Sequence, residues 1–163
     1  MRYADGPVAE ASVHVAAPPE RVWAIVSDIA LMAELSAEVQ RVEWIEGGDP
    51  PTVGDVFSGH NSHPRVGQWT TPNRIATCEP CRAFGWDTGD PAAPAASWRF
   101  ELAEAGGGTF LRQWARMGPG WSNLVTIIEK MPDREEEIVA RRLSDFQGGI
   151  EANLAAIKAR AEA

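Results

Sequence analysis

Two residues separate His60 from His63, and Cys78 and Cys81 repeat that spacing. Two imidazole nitrogens with two thiolates make a tetrahedral zinc set. The segment between the pairs opposes that reading. Residues 67–77 have the composition of an extended strand, which would span roughly 35 Å. That distance places the histidines at one end and the cysteines at the other. A Cys-x-x-Cys pair can also do redox chemistry, but an activated thiolate sits at a helix N-terminus or beside a cation. Here the pair flanks a Glu79-Pro80 turn, so two reduced turn cysteines are expected. Gly106-Gly107-Gly108 is followed by no P-loop lysine and no helix start, and reads as a hairpin turn. The acidic run from Asp133 to Glu137 suits a helix N-terminus rather than a carboxylate site. No zinc site is expected from the histidine and cysteine pairs.

The elements that would position any other site follow from periodicity and turn signals. Ala11, Val13 and Val15 alternate with Glu10, Ser12 and His14, the pattern of a half-buried strand. Pro18-Pro19-Glu20 opens a helix carrying Val22, Trp23, Val26 and Ile29, and a second short helical turn covers Leu31 to Leu35. Strands are predicted over residues 39–45, 54–61, 67–77, 82–87, 97–103 and 109–117, with Gly and Pro clusters between them. Pro72 lies inside one of them, and a bulge is expected there because proline cannot donate to a ladder. From Met131 onward Val139, Leu143, Phe146, Ile150, Leu154 and Ile157 form one apolar stripe at helical spacing. Such a helix, near thirty residues and about 45 Å long, must lie across a sheet. Gly148-Gly149 in its middle implies a bend or room left against the sheet.

The 163 residues fit one domain, 1–163, with 1–8 as a flexible leader. The order is α+β: one strand, two short helices, six strands and one long helix, an antiparallel sheet of seven strands curved around the C-terminal helix. A formal charge of −8 argues against a broad polyanion-binding surface, so no nucleic-acid partner is expected. No apolar run reaches the length of a membrane span. Residues 1–10 lack the apolar core of a signal peptide, and a cytoplasmic monomer or homodimer is expected.

Several stretches resemble the START-like, or SRPBCC, superfamily with its helix-grip fold, in particular the polyketide cyclase/dehydrase and lipid-transport branch. They are Ser12 to Trp23, Gly54 to Asn61, Trp69-Thr70-Thr71, Cys78-Glu79-Pro80, Trp98-Arg99-Phe100, Gly107-Gly108-Thr109, Met117 to Gly120, and the final helix from Met131-Pro132-Asp133. The resemblance implies a container for an apolar molecule, serving as a carrier, a sensor or a cyclase, with no metal and no organic cofactor. It specifies fold far better than activity.

Strand parity then proposes a lining, since alternate residues face the helix. Phe57 and Asn61 would point inward, then Trp69, Thr71 and Asn73, with Phe84 and Trp86 beyond them. Trp98 and Phe100 follow, then Gln113 with Leu111, Ala115 and Met117. The helix would add Phe146, Gly149, Ile150 and Asn153. Phe110 and Trp114 argue for the opposite facing of the last strand, and a one-residue slip would exchange its two sets. Arg112 either belongs to an exposed cation–π face with Trp114 and Arg116 or holds an anionic ligand group. Arg142 borders the apolar stripe and could close a cavity mouth. The inward polar groups hydrogen-bond without titrating near neutrality. They give no general acid–base pair. Three readings remain: a binding protein for a small hydrophobic, polyketide-, aromatic- or lipid-like ligand; a cyclase/aromatase-type enzyme; and a packed domain acting through its surface, with exposed Trp114 and Trp121.

Overall fold

The computed structural model describes residues 1–163. A strand β1 (Val8–Val15) leads into two short helices, α1 (Pro19–Val26) and α2 (Ile29–Leu35). Six strands follow: β2 (Val39–Glu46), β3 (Val56–His63), β4 (Gly67–Glu79), β5 (Ala83–Thr88), β6 (Ala96–Ala105) and β7 (Gly108–Met117). Two further helices, α3 (Asn123–Lys130) and α4 (Glu135–Glu162), complete the chain. The sheet runs in the order β1-β7-β6-β5-β4-β3-β2, with every neighbouring pair antiparallel. The α+β architecture expected from the order of elements is the one observed.

Local chemistry explains the helix starts. Pro19 occupies the first turn of α1, where its missing N–H has no partner to lose. Asp28 caps α2 by accepting from the Leu31 amide at 3.4 Å. Three glutamates, Glu135 to Glu137, occupy the first turn of α4 and Arg160 its last, each placed to suit the helix dipole. Between helices and sheet sits a continuous core that includes Val15, Val22, Ile75, Phe84, Phe100, Leu111, Ile150 and Ile157.

The outer edge of β1 is closed by side chains of α4 rather than by another strand. Gln147 donates to the Glu10 carbonyl at 2.9 Å and accepts from the Glu10 amide at 3.2 Å. Farther along, Lys158 donates to the His14 carbonyl, and the Ala16 amide donates to Glu162. These bonds satisfy backbone groups that an edge strand otherwise leaves open.

Three expectations are corrected. Residues 1–8 are not a loose leader: Tyr3–Asp5 forms a 3-10 turn, Tyr3 is buried, and its hydroxyl donates to the Gly120 carbonyl at 2.6 Å. Pro72 sits in a regular stretch of β4 opposite Ser58, and the irregularity lies instead between Ile75 and Thr77 on the β5 side. The Pro72 carbonyl accepts from Gly89, just past the end of β5. A strand residue's N–H and C=O point the same way, so the absent donor faces the margin of the ladder and no bulge is needed. Finally, residues between Gly120 and Met131 form α3, an element the expected order lacks. Leu124, Ile127 and Ile128 do recur at helical spacing, but the helix has only eight residues, none is buried, and Ser122 supplies no side-chain cap.

Candidate functional site

Because the sheet curves away from α4, the two enclose a cavity of about 720 Å³. Ten of the twelve proposed lining residues border it: Phe57, Asn61, Trp69, Thr71, Asn73, Trp86, Trp98, Gln113, Phe146 and Asn153. Phe84 and Phe100 do not. Both point inward, as parity requires, but they are fully buried beneath the cavity and belong to the core. Parity assigns a face; it does not say how far along that face the open space extends. The last strand settles in the first of its two possible facings, with Leu111, Gln113, Ala115 and Met117 buried and Phe110 exposed.

Aromatic rings form much of the wall. Phe57 meets Trp86 edge-on at 5.7 Å, and Trp98 lies 4.8 Å from Phe146 of α4. Such contacts fix ring orientation beyond the gain from burial alone. Gly149 faces the cavity from α4, and a Cβ there would meet nothing within 4 Å. The open space expected beside the glycine pair is therefore present at Gly149.

The polar groups fall in two clusters. On β3, β4 and β5, Asn73 Oδ1 accepts from Thr88 Oγ1 at 2.7 Å, and Asn73 Nδ2 donates to the Thr71 carbonyl at 3.2 Å. Asn61 Nδ2 donates to the Gly59 carbonyl at 3.1 Å. On the far side, Asn153 Nδ2 of α4 donates to Gln113 Oε1 of β7 at 3.5 Å. Parity did not single out Thr88, Ile29 and Met32 of α2, or Trp121, Leu124 and Ile127 around α3, all of which border the cavity. The Thr88 position was readable only from strand register. The α3 residues were masked by the missing helix.

Charged groups border one part of the cavity. Arg142 bonds Glu38 through both terminal nitrogens, at 2.7 and 3.1 Å, and lies over the rings of Trp69 and Phe146. Asp145 next to it is held by Arg65 at 2.6 Å and by His63 at 3.3 Å. The four ionisable lining residues are Glu38, Asp90, Arg142 and Asp145. None of them is fully buried, so the inner lining is apolar or neutral-polar.

The remaining motif residues lie elsewhere. Arg112 faces outward, bridging Glu10 and Glu101, and Trp114 beside it is half-buried rather than exposed. Trp121 does border the cavity but is exposed, at 68%. His60 contacts Glu43 at 2.9 Å. The Cys78 thiol donates to the Pro51 carbonyl, and burial, with Asp55 nearby, pushes its pKa up, the opposite of an activated thiolate. No helix is long and apolar enough to cross a membrane.

Comparison with known proteins narrows the context. The family model for polyketide cyclase / dehydrase and lipid transport matches residues 7–162. A solution structure of a polyketide-cyclase-like protein from Corynebacterium glutamicum is 32% identical, with 93% of this chain and 88% of that one aligned and a TM-score of 0.64. The Zhui aromatase/cyclase from a Streptomyces species aligns over 96% and 93% of the two chains at 18% identity and a TM-score of 0.68. The di-domain ARO/CYC protein BexL aligns over 96% of this chain at 22% identity and a TM-score of 0.69, and this chain spans 50% of its length. No curated protein matches the chain.

Proposed function

The chain belongs to the polyketide cyclase / dehydrase and lipid transport family, and on that premise we propose that it binds a small hydrophobic ligand between the sheet and α4. The ligand class is polyketide-like, aromatic or lipid-like. The supporting observation is the cavity itself: about 720 Å³ with a mostly aromatic and aliphatic inner wall and a few neutral amides. Ligand pockets typically measure ~300–1,000 Å³ and combine apolar walls with a few convergent polar groups. A domain acting only through its surface has no use for such a space.

A second reading, cyclisation of a polyketide-like chain, draws on the aromatase/cyclase names of Zhui and BexL. In this chain it would rest on positioning and on amide dipoles near a reacting carbonyl. The inner lining supplies no acid–base pair for proton transfer. Neither reading calls on a metal or an organic cofactor.

Native mass spectrometry of freshly purified protein tests the proposal. The expected result is an added mass that denaturation releases, or uptake of an apolar aromatic probe at one molecule per chain. Neither co-purified mass nor uptake would leave only a surface role. Recovery of an added poly-β-ketone unchanged favours the carrier, whereas its conversion to a ring with loss of water favours the enzyme.

A further inference from the structure

Gln113 of β7 is 1% exposed and Asn153 of α4 is 8% exposed, yet both border the cavity. Their one mutual bond uses Asn153 Nδ2 and Gln113 Oε1. That leaves Gln113 Nε2, a donor, and Asn153 Oδ1, an acceptor, with no protein partner. The only side-chain nitrogen or oxygen both sealed from solvent and unpaired is Arg99 Nε, on the opposite face of the sheet. The two free amide atoms therefore open onto the cavity.

Resting on the ligand-binding reading above, we infer that the Gln113–Asn153 pair anchors a neutral hydroxyl, so that the favoured ligands are uncharged, hydroxylated ring systems. A hydroxyl is the smallest group that satisfies both atoms, accepting from Gln113 Nε2 and donating to Asn153 Oδ1. A carboxylate takes the donor but sets its charge beside the Asn153 oxygen. The cation bordering the cavity, Arg142, is already paired with Glu38. An ammonium fits the acceptor and opposes the donor. A methyl group leaves both unpaired, the costly arrangement for buried amides. Ring geometry agrees with this choice. Phe146 lies two helical turns, about 10 Å, before Asn153 on the same face of α4, and with Trp98 it forms the aromatic wall on that side. A fused aromatic ring packed against Trp98 and Phe146 can direct its hydroxyl toward the amide pair.

Calorimetric titration of the full chain at neutral pH with 2-naphthol, 2-methylnaphthalene and 2-naphthoate tests this. The expected result is 2-naphthol binding at least five-fold tighter than either of the others. Gln113→Leu and Asn153→Leu should each reduce the preference over 2-methylnaphthalene to less than two-fold while keeping that hydrocarbon bound. Should the variants fail to fold, the assigned side-chain amide resonance of Gln113 in the wild-type chain serves instead. It should move with 2-naphthol and stay in place with 2-methylnaphthalene. Equal wild-type affinities, a preference that survives both substitutions, or an unmoved resonance overturns the inference while the cavity remains a binding site. Binding of none of the three removes the binding reading itself, and this one with it.

Discussion

The Asn73 carboxamide ties two strands together, with its oxygen on Thr88 of β5 and its nitrogen on the Thr71 carbonyl of its own strand. Since that amide is already engaged, Asn73→Leu should act on stability first. Leaving the Thr88 hydroxyl and the Asn73 site without partners costs about 1–3 kcal/mol. Urea unfolding should show that loss, while affinity for an apolar ligand, measured on the folded fraction, stays within about two-fold. An unchanged midpoint would return Asn73 to the set of free ligand contacts. Trp98 is the opposite case. Its ring is half-buried, stacks near Phe146 and faces the cavity, so Trp98→Ala should weaken binding of 2-methylnaphthalene about ten-fold, the equivalent of ~1.4 kcal/mol. A calorimetric titration showing no change would remove Trp98 from the contact surface. Alternation in the sequence was enough to place both residues on the inner face. It could not tell an engaged amide from a free one, because that depends on which residue the neighbouring strand sets opposite, and Thr88 meets Asn73 only through the β4–β5 register.

Among the elements, α4 was legible almost throughout from its apolar stripe and its flanking charges, and Gly149 is where its sequence departs from good helix chemistry. With open space where a Cβ would go, Gly149→Ala should stabilise the chain by up to about 1 kcal/mol without a clash. Gly149→Trp should instead occupy the cavity and abolish probe uptake. If Gly149→Trp binds the probe like the wild type, the ligand does not lie against this part of α4. The segment before β1 and the start of α3 were not legible, because long-range contacts hold them, those of Arg2 and Tyr3 with Glu135 among them. The Tyr3 hydroxyl donates to the Gly120 carbonyl and sits 3.3 Å from Ser122 Oγ. Tyr3→Phe should lower stability by about 1 kcal/mol, a drop in Tm of about 2–4 °C at this size. Burial raises the Tyr3 pKa, against a smaller opposing effect of Ser122. The folded chain therefore holds this proton more tightly than the unfolded one. The contribution is intact below about pH 10 and is lost as pH rises through the raised folded value. The wild-type chain should lose stability above pH 10 more steeply than Tyr3→Phe, and matching alkaline limbs would show that the phenol is not linked to folding.

For the molecule as a whole, a ligand that binds only the folded state adds stability by mass action, about 2.7 kcal/mol at a hundred times its Kd. For a chain of 163 residues this corresponds to a rise in Tm of roughly 5–10 °C. Scanning calorimetry with saturating 2-naphthol should show it, and an unmoved transition would mean that the compound does not bind the folded chain. The overall architecture was legible because strand alternation, turn residues and helix period all agree. The volume left between sheet and helix was not, since it depends on how far a curved sheet departs from α4. The placement of the indoles has an optical consequence. Trp69, Trp86 and Trp98 border the cavity while Trp121 stands at its exposed rim. The chain thus carries its own label-free sensor: iodide should quench the emission of Trp121 first, whereas an occupant should shift the spectrum and shorten the lifetimes of the three inner rings.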